Sequence, residues 1–448
     1  MRLSRRDFLY GASALGALGW SGLQAAKPAR RPNIVLVLAD DLGWGDLGSY
    51  GARAIRTPAL DRMAREGVRM TDFYASANVC TPSRAGLLTG RYPIRTGLAH
   101  EVIQAKDTNG LPSSEVTIAE ALKPAYATAL IGKWHLGHVT PFWPPTVQGF
   151  DLFHGLPYSH DMKPLRLFTA APGVELTHED VDLQRLTERF FDRGLRFIDD
   201  HRERPFFLTL ALTAPHVPLR PNPPHTGHSP AGDYGDVVEE VDAGVGRLLA
   251  HLKARGLDDD TVVMVTSDNG PWFEGSAGPL RSGKGFAGWD GGYRVPFIVR
   301  APGRLPARRT TGAIAMNIDL LPTILSLAGM PLPSGVTLDG SDLLPVWTRA
   351  APSPHDALVL FNNEKVAGLR TQRWKLVTRN YYRTYDLPLD RFGYPLLFDA
   401  LRDPGEQYNM ASRHPDVLRD LLARLAAAKA TFEPLGVRQA PEILPRGL

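Results

Sequence analysis

The 448-residue chain predicts an α/β fold: a large mixed sheet flanked by helices, followed by a small antiparallel sheet-plus-helix subdomain. Three observations carry this reading. Continuous β-branched apolar runs recur along the chain, the pattern of strands covered on both faces. Amphipathic helical segments separate them, and strands alternating with helices argue a layered α/β architecture. After about Pro345 the strand-like pieces become short, and one helix follows them.

The elements follow in order. Asn33–Ala39 reads as a buried strand that stops at Asp40-Asp41-Leu42-Gly43. Residues 57–67 have helical apolar spacing and end at Gly67, which suits a C-cap. Thr81-Pro82-Ser83-Arg84 reads as a helix start, with Pro early and Leu87 and Leu88 next. Residues 127–132 form a shorter strand. Residues 183–200 are amphipathic, with Leu186, Phe190, Leu195 and Ile198 near one face. Residues 206–212 are a third strand, ending near Pro215-His216, and the Pro/Gly-rich stretch 215–235 reads as a long loop. Residues 234–254 are a helix carrying Val237, Val241, Val245, Leu248 and Leu252. Residues 261–266 are a strand that ends in Ser267-Asp268-Asn269-Gly270, residues 295–299 are a fifth strand, and a helix starts at Asp319. Residues 357–361, 366–369, 374–377 and 396–398 are short strands, and a final helix spans about 415–430. This divides the chain into a leader at 1–26, a main domain at 31–345 and a small subdomain at 346–448.

Composition narrows the function. Net charge is only +4, and the basic residues are dispersed, with no basic helix interleaved with aromatics. Nucleic-acid binding is therefore not expected. Ser4-Arg5-Arg6-Asp7-Phe8-Leu9, an apolar stretch at 11–20 and Gln24-Ala25-Ala26 look like a cleavable twin-arginine export signal. The expected location is periplasmic or secreted, with the twin-arginine export machinery as a partner. No apolar run reaches membrane length, so no membrane span is expected in the mature chain. The only cysteine, Cys80, has no second thiol for an intrachain disulfide.

Two motifs sit at strand ends, where functional groups of open α/β sheets gather. Asp40-Asp41 and Asp268-Asn269 each follow a buried strand. Either tetrapeptide alone reads as a turn. Together they offer hard oxygen donors whose charges repel unless a cation sits among them. Ca²⁺ is the expected occupant and Mg²⁺ the second choice, while the absence of nearby Cys or His ligands argues against Zn²⁺. If a helix begins near Cys80, the spacing of four puts Arg84 on the same face. Residue 80 then stands beside a guanidinium and the positive end of a helix. A buried small hydrophobe and a thiolate nucleophile both remain open at this point.

Cys80-Thr81-Pro82-Ser83-Arg84-Ala85-Gly86-Leu87-Leu88-Thr89-Gly90-Arg91 closely resembles the type I sulfatase signature, in which the cysteine is oxidised to formylglycine. Ala129-Leu130-Ile131-Gly132-Lys133-Trp134-His135-Leu136-Gly137 resembles the second signature of that family. Upstream, Leu122-Lys123-Pro124-Ala125-Tyr126 lacks the usual glycine before the tyrosine. Gly155-Leu156-Pro157-Tyr158-Ser159-His160-Asp161 looks like the arylsulfatase A branch. Ala214-Pro215-His216 matches the second active-site histidine, and residues 278–285 match the loop bearing the second lysine, Lys284. Trp289-Asp290-Gly291-Gly292 has Asp where Glu is usual. The resemblance covers roughly residues 31–412, including Asp403-Pro404-Gly405-Glu406.

The resemblance implies an alkaline phosphatase-like fold and hydrolysis of aryl or carbohydrate sulfate monoesters. It assigns Cys80, Arg84, Lys133, His135, His216 and Lys284 to catalysis, and Ser159, Lys133, His216 and Lys284 to the sulfate. Asp40, Asp41, modified Cys80, Asp268 and Asn269 would hold the cation. A formylglycine-generating enzyme acting on Cys80 is an implied partner. Taken singly, Lys133 and Lys284 would be solvated lysines. His100, His154, His160 and Trp44 read as structural or substrate-edge residues. Two other functions compete: hydrolysis of phosphonate or phosphate esters, and binding of sulfated glycans without turnover.

Overall fold

The computed structural model describes residues 31–380 and 387–437. The leader expected at 1–26, with Arg5 and Arg6, lies outside the described residues. The strands β1 (Asn33–Ala39), β2 (Val68–Tyr74), β3 (Ala127–Lys133), β4 (Leu152–Leu156), β5 (Leu167–Ala170), β6 (Thr177–Glu179), β7 (Phe206–Ala211), β8 (Thr261–Ser267), β9 (Arg294–Arg300), β10 (Arg309–Thr311) and β11 (Ala315–Met316) form one mixed sheet. Its order is β10-β2-β9-β8-β1-β7-β3-β4-β5-β6, with β11 beside β2. The central neighbours β8, β1, β7 and β3 are parallel, so their carboxyl ends open on one edge of the sheet. That edge is where Asp40, Asp268, Lys133 and the path to His216 emerge.

The helices are α1 (Pro58–Glu66), α2 (Cys80–Thr89), α3 (Ile118–Leu122), α4 (Leu186–Asp200), α5 (Gly232–Ala254), α6 (Asp290–Tyr293), α7 (Leu320–Ala328), α8 (Leu344–Arg349) and α9 (Pro415–Phe432). Side chains alternate across a strand, and β1 divides its own between two cores. Ile34, Leu36 and Leu38 pack with apolar residues of α2, α3, α7 and α8, whereas Val35, Val37 and Ala39 pack with those of α1, α4 and α5. The result is the helix–sheet–helix layering that the continuous apolar runs imply.

A second sheet, β12 (Leu358–Asn362), β13 (Lys365–Arg370), β14 (Trp374–Val377) and, beyond the short pair β15 (Arg379–Asn380) and β16 (Leu387–Pro388), β17 (Leu396–Asp399), is antiparallel. Leu421, Leu425 and Phe432 of α9 cover it. Val346 and Trp347 of α8 belong to the main core, so we propose that the small unit starts after α8. A buried polar cluster joins the two sheets. Lys375 Nζ of β14 pairs with Asp290 Oδ1 at 2.5 Å and Glu406 Oε1 at 2.6 Å, and Asp290 Oδ2 accepts the Tyr74 hydroxyl of β2 at 2.9 Å.

Several sequence expectations need correction. Gly67 is not a left-handed cap: its φ is −143°, in extended backbone. Its lack of a side chain is needed because a Cβ there would stand 2.1 Å from the Val299 carbonyl oxygen. Strand β2 went unread, because Arg69, Thr71 and Asp72 break its apolar run. The loop read as 215–235 is shorter, since α5 begins at Gly232.

Candidate active site

Four segments leave the open edge of the sheet and meet. The Asp40 amide donates to the Ala214 carbonyl at 3.0 Å, and the Asp268 amide donates to the Ala39 carbonyl at 3.1 Å. The exits of β7, β1 and β8 are thereby tied together. Asp41 and His135 hold left-handed backbone, with φ of 67° and 61°. Such conformations cost a non-glycine residue on the order of 1–3 kcal/mol and cluster at functional sites. Helix α2 starts at Cys80 and aims its first turn at the same place.

The side chains form a nearly dry cage of alternating charge. Lys133, fully buried at the end of β3, donates from Nζ to Asp40 Oδ2 at 2.6 Å. Arg84, one turn along α2 from Cys80, donates from Nε to Asp268 Oδ2 at 2.8 Å and from Nη1 to the Lys133 carbonyl at 2.8 Å. Lys284 Nζ lies 2.8 Å from Asp41 Oδ2. Its loop is fixed by two backbone bonds, Lys284 N–H to the Pro271 carbonyl and Gly285 N–H to the Asn78 carbonyl, both 2.9 Å. Asn269 Nδ2 donates to Asp41 Oδ1 at 2.7 Å. Cys80 Sγ is 3.5 Å from Asp40 Oδ1.

These contacts set the protonation states. Burial alone would raise Asp40, but Lys133, His216, Arg84 and Lys284 outweigh it and hold the carboxyl well below the usual range. Burial pushes the Cys80 thiol up to about 12, despite Lys133 and Lys284 nearby. An unmodified thiol here is neutral and a weak nucleophile, which removes the main appeal of a thiolate mechanism. Burial, then Lys133 and Arg84, drive His135 well below the ordinary histidine range. His135 Nε2 donates to the Ile103 carbonyl at 3.0 Å. Its buried Nδ1 has no partner, so a neutral imidazole keeps a free lone pair.

The structure adds His216 to the acidic cluster. One ligand atom each from Asp40, Asp41, Cys80 and His216 lies within 4.8 Å of the others. His216 Nδ1 donates to the Val217 carbonyl at 2.6 Å, which leaves Nε2 facing Asp41 Oδ2 at 3.6 Å. Sequence assigned this histidine to catalysis and to the sulfate but not to the cation-holding set, because the approach of β7's exit to β1's exit is a property of the sheet. The sequence argument against zinc rested on there being no nearby Cys or His ligands, and His216 removes that premise.

The residues nonetheless fit a hard divalent cation. Asn269 Oδ1 is buried without a hydrogen-bond partner, an acceptor that a cation would satisfy. Burial, and next the charge of Asp40, raise the Asp268 carboxyl to about 6, as expected where anions crowd together. Asp268 Oδ1 also accepts the Asp41 amide at 3.3 Å.

A cleft of about 780 Å³ opens onto the cage and is lined by Cys80, His135, Ser159, His216 and Lys284. Asp40, Asp41, Lys133, Asp268 and Asn269 lie beneath it. Gln104, Lys106, Asp161, Lys163 and Trp272 also line the cleft, and no motif had singled them out as site residues. Of three loops that carry no motif, residues 98–113, 162–179 and 222–233, the first two contribute lining residues and the third does not. His154 bonds Thr169 Oγ1 at 2.8 Å, and Trp44 Nε1 donates to the Thr71 carbonyl at 3.0 Å, both structural contacts. Asp290, where the family pattern has Glu, lies in the polar cluster between the sheets.

His160 supports His216 from behind, with ring centroids 5.7 Å apart, and its Nε2 donates to the Pro218 carbonyl at 3.2 Å. Burial, and then His216, depress its pKa to about 4. A depressed folded-state pKa means that the unfolded chain takes up the proton first, so stability falls as pH drops below about 6.5 toward 4. At about pH 5 this one group removes about 2 kcal/mol relative to neutral pH. His160→Gln is expected to narrow the gap between the thermal midpoints at pH 7 and pH 5. An unchanged gap would show that His160 is not buried neutral.

Residues 32–330 match the Sulfatase family, and residues 287–431 match the C-terminal region of N-sulphoglucosamine sulphohydrolase. Arylsulfatase A of Homo sapiens is 38% identical, over 94% of this chain and 93% of its own. N-acetylgalactosamine-6-sulfatase of Canis lupus familiaris is 34% identical, over 96% of this chain and 93% of its own. The solved PsFucS1 sulfatase from Pseudoalteromonas sp. superposes with a TM-score of 0.83 at 28% identity, over 92% of each chain.

Proposed function

The chain belongs to the sulfatase family and is a sulfuric ester hydrolase, and we propose that it cleaves aryl or carbohydrate sulfate monoesters with a formylglycine made from Cys80. The observation that carries this reading is the meeting of Cys80, Lys133, His135, His216 and Lys284 around one acidic cluster at the mouth of a cleft. Asp40, Asp41, Asp268 and Asn269 would hold the cation, Ca²⁺ in preference to Mg²⁺, because oxygen donors dominate the set. When bound, the ion supplies positive charge beside residue 80 and the sulfate oxygens.

The chain's own groups account for the remaining steps. Lys133 and Lys284 offset charge on the sulfate oxygens, and Ser159 borders the pocket that receives them. Arg84 orients residue 80 from the next turn of α2. One hydroxyl of the hydrated aldehyde attacks sulfur and loses its proton to solvent in the open cleft, the bond from sulfur to the alcohol oxygen breaks, and His216 Nε2 or Lys284 Nζ gives that oxygen a proton. The sulfate ester now on residue 80 retains a second hydroxyl. His135 Nδ1 takes its proton, the carbonyl re-forms, and the carbon–oxygen bond to sulfate breaks. Water then restores the hydrate.

Cys80 is only 1% exposed, so its oxidation belongs before folding is complete. Export through the twin-arginine route, which carries folded proteins, fits a maturation enzyme that acts in the cytoplasm. We place the mature enzyme in the periplasm or outside the cell. No helix among the described residues is long and apolar enough to cross a membrane.

The test compares 4-nitrophenyl sulfate with 4-nitrophenyl phosphate and a phosphonate monoester on calcium-loaded protein. The sulfate is expected to give the highest kcat/KM. A higher value for the phosphonate or phosphate would move the assignment to those esters, and binding of sulfated glycans without turnover would indicate a decayed binding protein.

A further inference from the structure

We infer that Lys106 and Lys163 select substrates whose alcohol carries a second negative charge, so that the preferred ester is an acidic sulfated saccharide; this rests on the sulfatase reading above. The argument is a charge balance between the cage and its rim. Inside, each cation already has a carboxylate: Lys133 has Asp40, Arg84 has Asp268, and Lys284 has Asp41. At the rim, Lys106 comes from the loop after Ile103 and Lys163 from the loop after Ser159, and both line the cleft that holds Cys80. Both are exposed, and neither forms an ion pair with a carboxylate among the described residues. Asp161 is the only carboxylate lining the cleft among the described residues. Its pKa lies below the usual range: burial opposes this, but the nearby Ser159 hydroxyl and the charges of His216 and Lys133 outweigh burial. It is therefore ionised, and it offsets at most one of the two lysines.

Two cations thus face the volume that the alcohol would fill, beyond those facing the scissile sulfate. A neutral aryl alcohol has nothing to offer them. Trp272 supplies an apolar wall to the same cleft and packs edge-on against Phe273, which is 73% exposed in an adjoining hollow. An aromatic wall next to unpaired cations suits a sugar ring bearing a carboxylate or a further sulfate better than a flat, uncharged aryl group. Because the rim is open to solvent, the attraction is screened by salt.

The experiment measures kcat/KM for 4-nitrophenyl sulfate, for a sulfated hexosamine, and for the same hexosamine joined to a uronic acid. The wild type is expected to favour the acidic disaccharide over the neutral sugar, with an advantage that shrinks at high salt. In K106A/K163A the acidic-to-neutral ratio is expected to fall about tenfold, mainly through KM. K106R/K163R should retain the ratio, and K106E/K163E should invert it. An unchanged ratio in the alanine and glutamate variants, or a wild type that favours the neutral sugar, would overturn the inference while leaving sulfate hydrolysis standing. Absence of turnover on all three substrates would sink the sulfatase reading, and this inference with it.

Discussion

Cys80→Ser is expected to release no more than one equivalent of alcohol per enzyme and then stop. The serine hydroxyl would occupy the start of α2, next to Asp40 and within the field of Lys133 and Lys284, so first attack on sulfur remains feasible. The ester so formed has no second hydroxyl on its carbon. His135 then has no proton to take, and release would require a new attack on sulfur by water. A burst followed by a steady rate on the order of 10³-fold or more below the parent is the expected trace. Quenched-flow release of 4-nitrophenol, with intact mass showing a sulfated protein, checks it. Sustained turnover near the parent rate would remove the need for an aldehyde.

Lys133→Ala is expected to lose roughly 10²–10³ in kcat/KM, the scale for removing one preorganised charge that faces the developing anion. The same substitution strands a buried carboxylate. Lys133 and Asp40 are both fully buried and 2.6 Å apart, and breaking such a pair costs about 3–5 kcal/mol. Activity must therefore be read on material shown to be folded by its thermal midpoint. Lys133→Arg should not restore the rate, because a planar guanidinium does not fit where a compact ammonium sits inside a closed core. A folded Lys133→Ala enzyme within tenfold of wild type would show that Lys133 serves the fold alone.

Much of this was legible from sequence, and the physical reason is burial. Strands β1, β7 and β8 are covered on both faces, so they appear as uninterrupted apolar runs whose ends mark the site. Strand β2 could not be read that way. Its Asp72 takes ion pairs from Arg294 at 3.1 Å and Arg370 at 2.9 Å, contacts made by β9 and β13 far along the chain. The segments that meet at the cleft were legible because the stretch around Cys80 and the Lys133–His135 pair carry their own local motif. The convergence of His216 on Asp41 was not, since it depends on β7 lying beside β1. Lys106 and Lys163 carry no motif at all, and their role follows only from the cleft they share.

The central claim is that an oxidised side chain at position 80, held within this cage, performs the cleavage. Peptide mass spectrometry of active preparations tests it most directly. The peptide containing residue 80 is expected to be about 18 Da lighter than its cysteine form, the change from thiol carbon to aldehyde. Across preparations of differing maturity, specific activity on 4-nitrophenyl sulfate should scale with that lighter fraction. Full activity in material that carries only the unmodified thiol would contradict the account.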